Sequence, residues 1–177
     1  MLTAELPQSS KRFTSAVIVM GVASCGKTSV GELLAEKFAC RFIEGDRLHP
    51  ASNVAKMSAG TPLNDDDRWP WLAAVGASLD GKGAAIASCS ALKRSYREAI
   101  AKAAQRPILF IYLHGSKEVL EQRINARQGH FMPATLLGSQ LKTLESPGPD
   151  ERALKLDIEQ SVPQLVERAQ CWLLEQR

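Results

Sequence analysis

Ala16-Val-Ile-Val-Met20, followed at once by Gly21-Val-Ala-Ser-Cys-Gly-Lys-Thr28, is the stretch on which the fold turns. Five apolar, mostly β-branched residues read as a buried strand. The next eight fit G-x-x-x-x-G-K-[ST], and Ser29 to Phe38 then repeats apolar residues at helical spacing, with Val30, Leu33, Leu34 and Phe38 on one face. A strand, a glycine-framed turn and a helix in immediate succession make a phosphate-binding loop. The glycines let the backbone of Gly21, Val22, Ala23, Ser24, Cys25 and Gly26 wrap an anion with its N–H groups, and the helix N-terminus adds partial positive charge. Lys27 is placed to bridge β- and γ-phosphates of ATP, and the Thr28 hydroxyl to ligate Mg²⁺. Cys25 has no histidine nearby and reads as a small packing residue.

Outward from this unit the alternation continues. Arg41–Glu44, Ala84–Ser88, Pro107–Leu113 and Leu154–Ile158 read as strands, and helices are expected over about 92–104, 118–127 and 162–176. Strands alternating with helices of this length predict an α/β three-layer α/β/α fold with a five-stranded parallel sheet. At 177 residues the chain has the size of one domain, taken as 15–177 behind a loose extension over 1–14. Two segments interrupt the alternation, 46–80 and 128–150, and such insertions at strand C-terminal ends are where these sheets bind ligands.

Composition narrows the class. Hydrophobic residues make up 45% and charged residues 23%, as in a globular protein, and 22 Lys plus Arg against 19 Asp plus Glu leave only +3, too little to argue for nucleic acid. No apolar run approaches a membrane span, and residues 1–14 lack the apolar core of a signal peptide. Cys25, Cys40, Cys89 and Cys171 form no CxxC pair, which points to the cytoplasm. The guanine signature Asn-Lys-x-Asp is absent, Asp80-Gly-Lys-Gly83 reads as a turn, and the third strand ends in Ser88-Cys-Ser90 without a carboxylate. The nearest acidic group for Mg²⁺, through water, is Asp46 after the second strand.

Gly45-Asp-Arg-Leu-His-Pro50, Gly60-Thr-Pro-Leu-Asn-Asp-Asp-Asp-Arg68, Cys89-Ser-Ala-Leu-Lys93, Arg127-Gln-Gly-His-Phe131, Ser139-Gln140 and Thr143-Leu-Glu145 carry a resemblance. Together with the loop, the chain resembles the gluconokinase family, P-loop kinases of the shikimate-kinase-like type, over about 16–175. The resemblance implies ATP- and Mg²⁺-dependent phosphorylation of D-gluconate at its 6-hydroxyl, in a homodimer, feeding the pentose phosphate or Entner-Doudoroff routes. It also implies a mobile lid bearing arginines, here Arg127 and Arg123. Without the resemblance, those arginines also fit a basic helix terminus.

A polyhydroxy acid needs cations for its carboxylate and Asp, His or Asn for its hydroxyls. Asp46 is the candidate to orient and deprotonate the attacking hydroxyl, or alternatively a helix N-cap. His49 and His130 are candidates for sugar hydroxyls. Arg68 is the candidate for the carboxylate, with Asp66 or Asp67 capping its helix. Lys93 and Arg97, four apart, either contact the acceptor or form a solvated basic face. Ser90 reads as an N-cap, and Trp69 and Trp71 as packing residues or a sugar platform. Adenine is expected between Leu156 and Pro163. The family loop usually reads Gly-Val-Ser-Gly-Ser-Gly-Lys, so Ser24 stands where glycine is usual. A left-handed φ there would cost about 1–3 kcal/mol, so Ser24→Gly is expected to leave turnover unchanged or raise it. Two competing readings are a kinase for shikimate or another hydroxy acid, and a gluconate sensor without turnover.

Overall fold

β1 (Ala16–Met20) is the central strand of a sheet in which every pairing is parallel. Its neighbours are β3 (Ala85–Ser88) and β4 (Ile108–His114), with β2 (Arg41–Glu44) and β5 (Ala153–Asp157) at the edges, giving the order β2-β3-β1-β4-β5. This computed structural model describes residues 13–81, 83–126 and 135–176. All five residues of β1 and all four of β3 are buried, which is why these strands read as unbroken apolar runs: a strand covered on both faces has no side for polar residues. The edge strands are more exposed and carry Arg41, Glu44, Lys155 and Asp157.

Seven α-helices lie among the described residues: α1 (Lys27–Lys37), α2 (Ala51–Ser58), α3 (Asp65–Ser78), α4 (Arg94–Ala104), α5 (Lys117–Ala126), α6 (Thr135–Thr143) and α7 (Val162–Glu175). Each expected helix is present with its ends moved by a few residues. α4 begins at Arg94 with Lys93 as N-cap, so Ser90 does not cap it. Segment 46–80 contains no strand. It forms a 3-10 turn (Gly45–Leu48) and then α2 and α3. Asn64 caps α3 in a reciprocal box: its side chain accepts from the Asp67 N–H, and Asp67 accepts from the Asn64 N–H. The three aspartates in that first turn also complement the helix dipole. α3 packs on α4 at Gly76, where a Cβ would collide with the Ile100 carbonyl.

The core runs through both faces of β1, β3 and β4 and takes in Leu34, Trp71, Leu72, Leu79, Ile100, Leu120 and Leu173. Phe13 belongs to it, buried and stacked on Phe38 at 4.1 Å between ring centroids. Residues 1–12 lie outside the described residues.

Candidate active site

The C-terminal ends of β1, β2 and β3 meet beneath the start of α1, and a cleft of about 290 Å³ opens there. Its floor is the phosphate loop. Gly26 is the N-cap of α1 at φ 98, with no side-chain cap and no acidic residue in the first turn. The helix therefore keeps its N-terminal N–H groups for an outside acceptor. Gly21, at φ 142, has to be glycine because a Cβ would sit 2.5 Å from the Leu113 carbonyl oxygen and 2.7 Å from Cys25 Sγ. Cys25 fills that space and is buried, and burial raises its thiol pKa, as expected of a packing residue. Lys27 Nζ donates to the Val22 carbonyl at 2.9 Å, inside the loop that it is to serve. Ser24 has φ 62, the left-handed conformation foreseen for that position.

Glu44 is the group the sequence reading missed. Thr28 Oγ1 donates to Glu44 Oε2 at 2.7 Å, and Ser88 Oγ donates to Glu44 Oε1 while accepting from the Gly45 N–H at 3.1 Å. Glu44 thus holds the proton of the Thr28 hydroxyl, leaving that oxygen's lone pairs for a cation. The signal was present in the alternation Glu44-x-Asp46 at a strand's end. Its pairing with Thr28, however, depends on the order of β2, β3 and β1. An all-oxygen set of hydroxyl and carboxylate suits Mg²⁺, which takes few protein ligands and keeps phosphate and water oxygens. Among the described residues, no group of three or more His, Cys, Asp or Glu side chains clusters for metal.

Asp46, His49, Arg68 and Trp71 also line the cleft. Asp46 lies within the 3-10 turn and is not a helix cap, since Pro50 holds that position for α2. His49 stacks on Trp71 at 4.0 Å between centroids, and Trp71 Nε1 donates to the Gly45 carbonyl at 2.8 Å, fixing the platform. Asn53 is buried. Its Nδ2 donates to the Asp67 carbonyl at 2.7 Å and lies 3.3 Å from His49 Nδ1. With the amide nitrogen set by Asp67, Asn53 is the donor, so His49 Nδ1 accepts and the ring proton sits on Nε2. Burial lowers the His49 pKa to about 4, against the opposing pull of Asp46, so the ring is neutral near pH 7.

Arg68 is buried, with Nη1 donating to the Tyr96 hydroxyl at 3.2 Å and lying 3.8 Å from Asp65 Oδ1. Tyr96 donates to Asp65, and that bond, with the Lys93 ammonium, lowers the Asp65 pKa. Lys93 Nζ bonds both Asp65 oxygens at 3.0–3.1 Å and does not line the cleft. Arg97 is also elsewhere. It is buried, bonds Glu151 at 2.5 and 2.9 Å, and donates to the Ala91 and Glu145 carbonyls. Because α4 starts after Lys93, the two cations diverge, one to Asp65 and the other to Glu151. Trp69 is half-exposed, edge-on to Tyr96, outside the cleft wall.

The roof comes from α5 and α6. Ile124, Leu136, Ser139 and Gln140 line it, and Gln140 Oε1 accepts from the Ala23 N–H at 2.6 Å. Arg123 Nη2 donates to the Ile158 carbonyl at 2.6 Å, in the loop after β5, so here it braces that loop. Arg127 and His130 lie outside the described residues.

A parallel sheet in this order, with an uncapped helix start behind Gly26-Lys27-Thr28, defines a P-loop domain of the small-molecule kinase type. A family profile described as an AAA domain matches residues 17–147. A gluconokinase of Gluconobacter oxydans is 47% identical over 147 residues, covering 81% of this chain and 82% of its own. The thermoresistant gluconokinase of Escherichia coli is 40% identical over 154 residues, covering 84% and 87%. The crystal structure of a gluconokinase from Sinorhizobium meliloti superposes with a TM-score of 0.86 at 48% identity, covering 93% of this chain and 94% of that one. The chain belongs to the gluconokinase family.

Proposed function

We propose that the protein transfers the γ-phosphoryl group of ATP to the 6-hydroxyl of D-gluconate, giving 6-phosphogluconate and ADP. The observation that carries this reading is one cleft lined both by Lys27 and Thr28 and by Asp46, His49 and Arg68. In the reaction, the bond between the γ-phosphorus and the β–γ bridging oxygen breaks as a bond to the 6-oxygen forms, and the hydroxyl proton passes to Asp46. Lys27 leaves the Val22 carbonyl for the β- and γ-phosphates. Arg68 binds the gluconate carboxylate, and the neutral His49 donates its Nε2–H to a substrate oxygen. Mg²⁺ held at Thr28 and Glu44 would offset charge on the phosphate oxygens.

Residues 15–177 act as one domain, with 46–80 as the acceptor segment and 128–150 as a lid that excludes water when it closes. Arg127, with Arg123 once released from Ile158, would meet the phosphates from that side. His130 is assigned to the gluconate hydroxyls. We infer a cytoplasmic homodimer that uses neither nucleic acid nor membrane as a partner. In support of the reducing compartment, all four cysteines are free. The test is the product. Incubation with Mg·ATP and gluconate should give a phosphate ester whose ³¹P signal couples to two methylene protons. Coupling to a single methine proton would place the transfer on another hydroxyl.

A further inference from the structure

Ser24 carries two costs in one residue. Its φ of 62 lies in the left-handed region, where a side chain is disfavoured. Its Oγ is buried without a hydrogen-bond partner, the sole side-chain nitrogen or oxygen in that condition among the described residues. A buried hydroxyl left unpaired is destabilising, and glycine or alanine would remove it without loss of packing to any polar neighbour. Nothing among the described residues explains the hydroxyl. Three polar groups of the loop are engaged elsewhere: Lys27 with the Val22 carbonyl, Thr28 with Glu44, and the Ala23 N–H with Gln140.

Ser24 nevertheless lines the cleft beside Gly26, Lys27 and Thr28. The surroundings are electropositive, since the charges of Lys27 and Arg123 both act to lower the pKa of the adjacent Cys25. The chemistry that satisfies a lone hydroxyl donor in such a place is an anionic oxygen, which forms a shorter and stronger bond than a neutral acceptor.

We propose that the Ser24 hydroxyl is a direct phosphate ligand, donating to a β- or γ-phosphate oxygen of the bound nucleotide. A loop that ordinarily works through backbone N–H groups here gains a side-chain donor. The proposal rests on the nucleotide reading above.

The test is calorimetric titration of the full chain with Mg²⁺ and a non-hydrolysable ATP analogue, ADP or AMP, for the wild type, Ser24→Ala and Ser24→Gly. Loss of a hydrogen bond to a charged group predicts ~10-fold weaker binding of the ATP analogue by both variants. Equal weakening with ADP assigns the bond to the β-phosphate, and weakening with the ATP analogue alone assigns it to the γ-phosphate. AMP binding should not separate the proteins. Ser24→Gly accepts φ 62 without strain, so it should unfold at a higher temperature than Ser24→Ala in the absence of nucleotide. Wild-type affinity for the ATP analogue in both variants overturns the proposal and leaves the nucleotide reading standing. A wild type that binds no nucleotide overturns both.

Discussion

Thr28 Oγ1 donates its proton to Glu44 Oε2 at 2.7 Å, joining the end of the phosphate loop to the end of an edge strand. The bond orients the hydroxyl, so Glu44 serves a cation at Thr28 even where it does not touch it. Groups that orient a ligand in this way typically matter 10–100-fold. For Glu44→Gln, the Mg²⁺ concentration giving half-maximal rate should rise by at least ~10-fold at fixed ATP. An unchanged Mg²⁺ dependence would remove Glu44 from the cation site.

Asp46 lines the same cleft as Lys27, from a 3-10 turn held in place by the Gly45–Trp71 hydrogen bond. Asp46→Asn should lower kcat by at least ~10²-fold, the low end for a general base, with a much smaller change in the KM for gluconate. Lys27→Ala should abolish transfer. Near-normal kcat in Asp46→Asn would reassign the residue to binding.

His49 is predicted to be neutral with its proton on Nε2. Its pKa of about 4 lies below the ordinary 6.5, so between those values the unfolded chain binds a proton that the folded chain does not. His49 therefore favours the folded state fully above pH 6.5, and this contribution is lost as pH falls toward 4. Nitrogen-15 NMR, assigned with His49→Gln, should show an unprotonated Nδ1 at pH 7. In Asn53→Asp, a carboxylate replaces the amide donor and Nδ1 should become protonated. An Nδ1–H signal in the wild type would contradict the role assigned to Asn53.

Arg97 and Glu151 are a buried pair with side-chain exposures of 2% and 12%. Removing one partner strands the other's charge and typically costs about 3–5 kcal/mol. Arg97→Met should therefore lower stability to denaturant by roughly that amount, while the folded fraction keeps a wild-type KM for gluconate. A raised KM with unchanged stability would return Arg97 to the acceptor site.

Much of this was legible in the chain. β1, the loop and α1 follow from one apolar run, two glycines and a helical repeat, because these signals are local. The left-handed φ at Ser24, raised from the sequence only as a condition, is present at 62. What escaped depends on contacts distant in sequence. Glu44 meets Thr28 only once β3 has inserted between β2 and β1. Lys93 and Arg97 looked like neighbours on one helical face, but Lys93 sits outside the helix, and Glu151, distant in the chain, takes Arg97. Gln140 carries no sequence signal of its role, since its bond to Ala23 requires α6 to fold back over the loop. Asn53 was likewise silent, since what it does is set the proton on another residue's ring.

The most direct test of the central claim is ADP release from Mg·ATP, measured in parallel with gluconate, shikimate, glycerate and no acceptor. One cleft that joins Lys27 and Thr28 to Asp46, His49 and Arg68 predicts turnover with gluconate far above the other three. Equal or greater turnover with shikimate or glycerate would contradict the acceptor assignment. Nucleotide and gluconate binding without any ADP release would contradict catalysis itself.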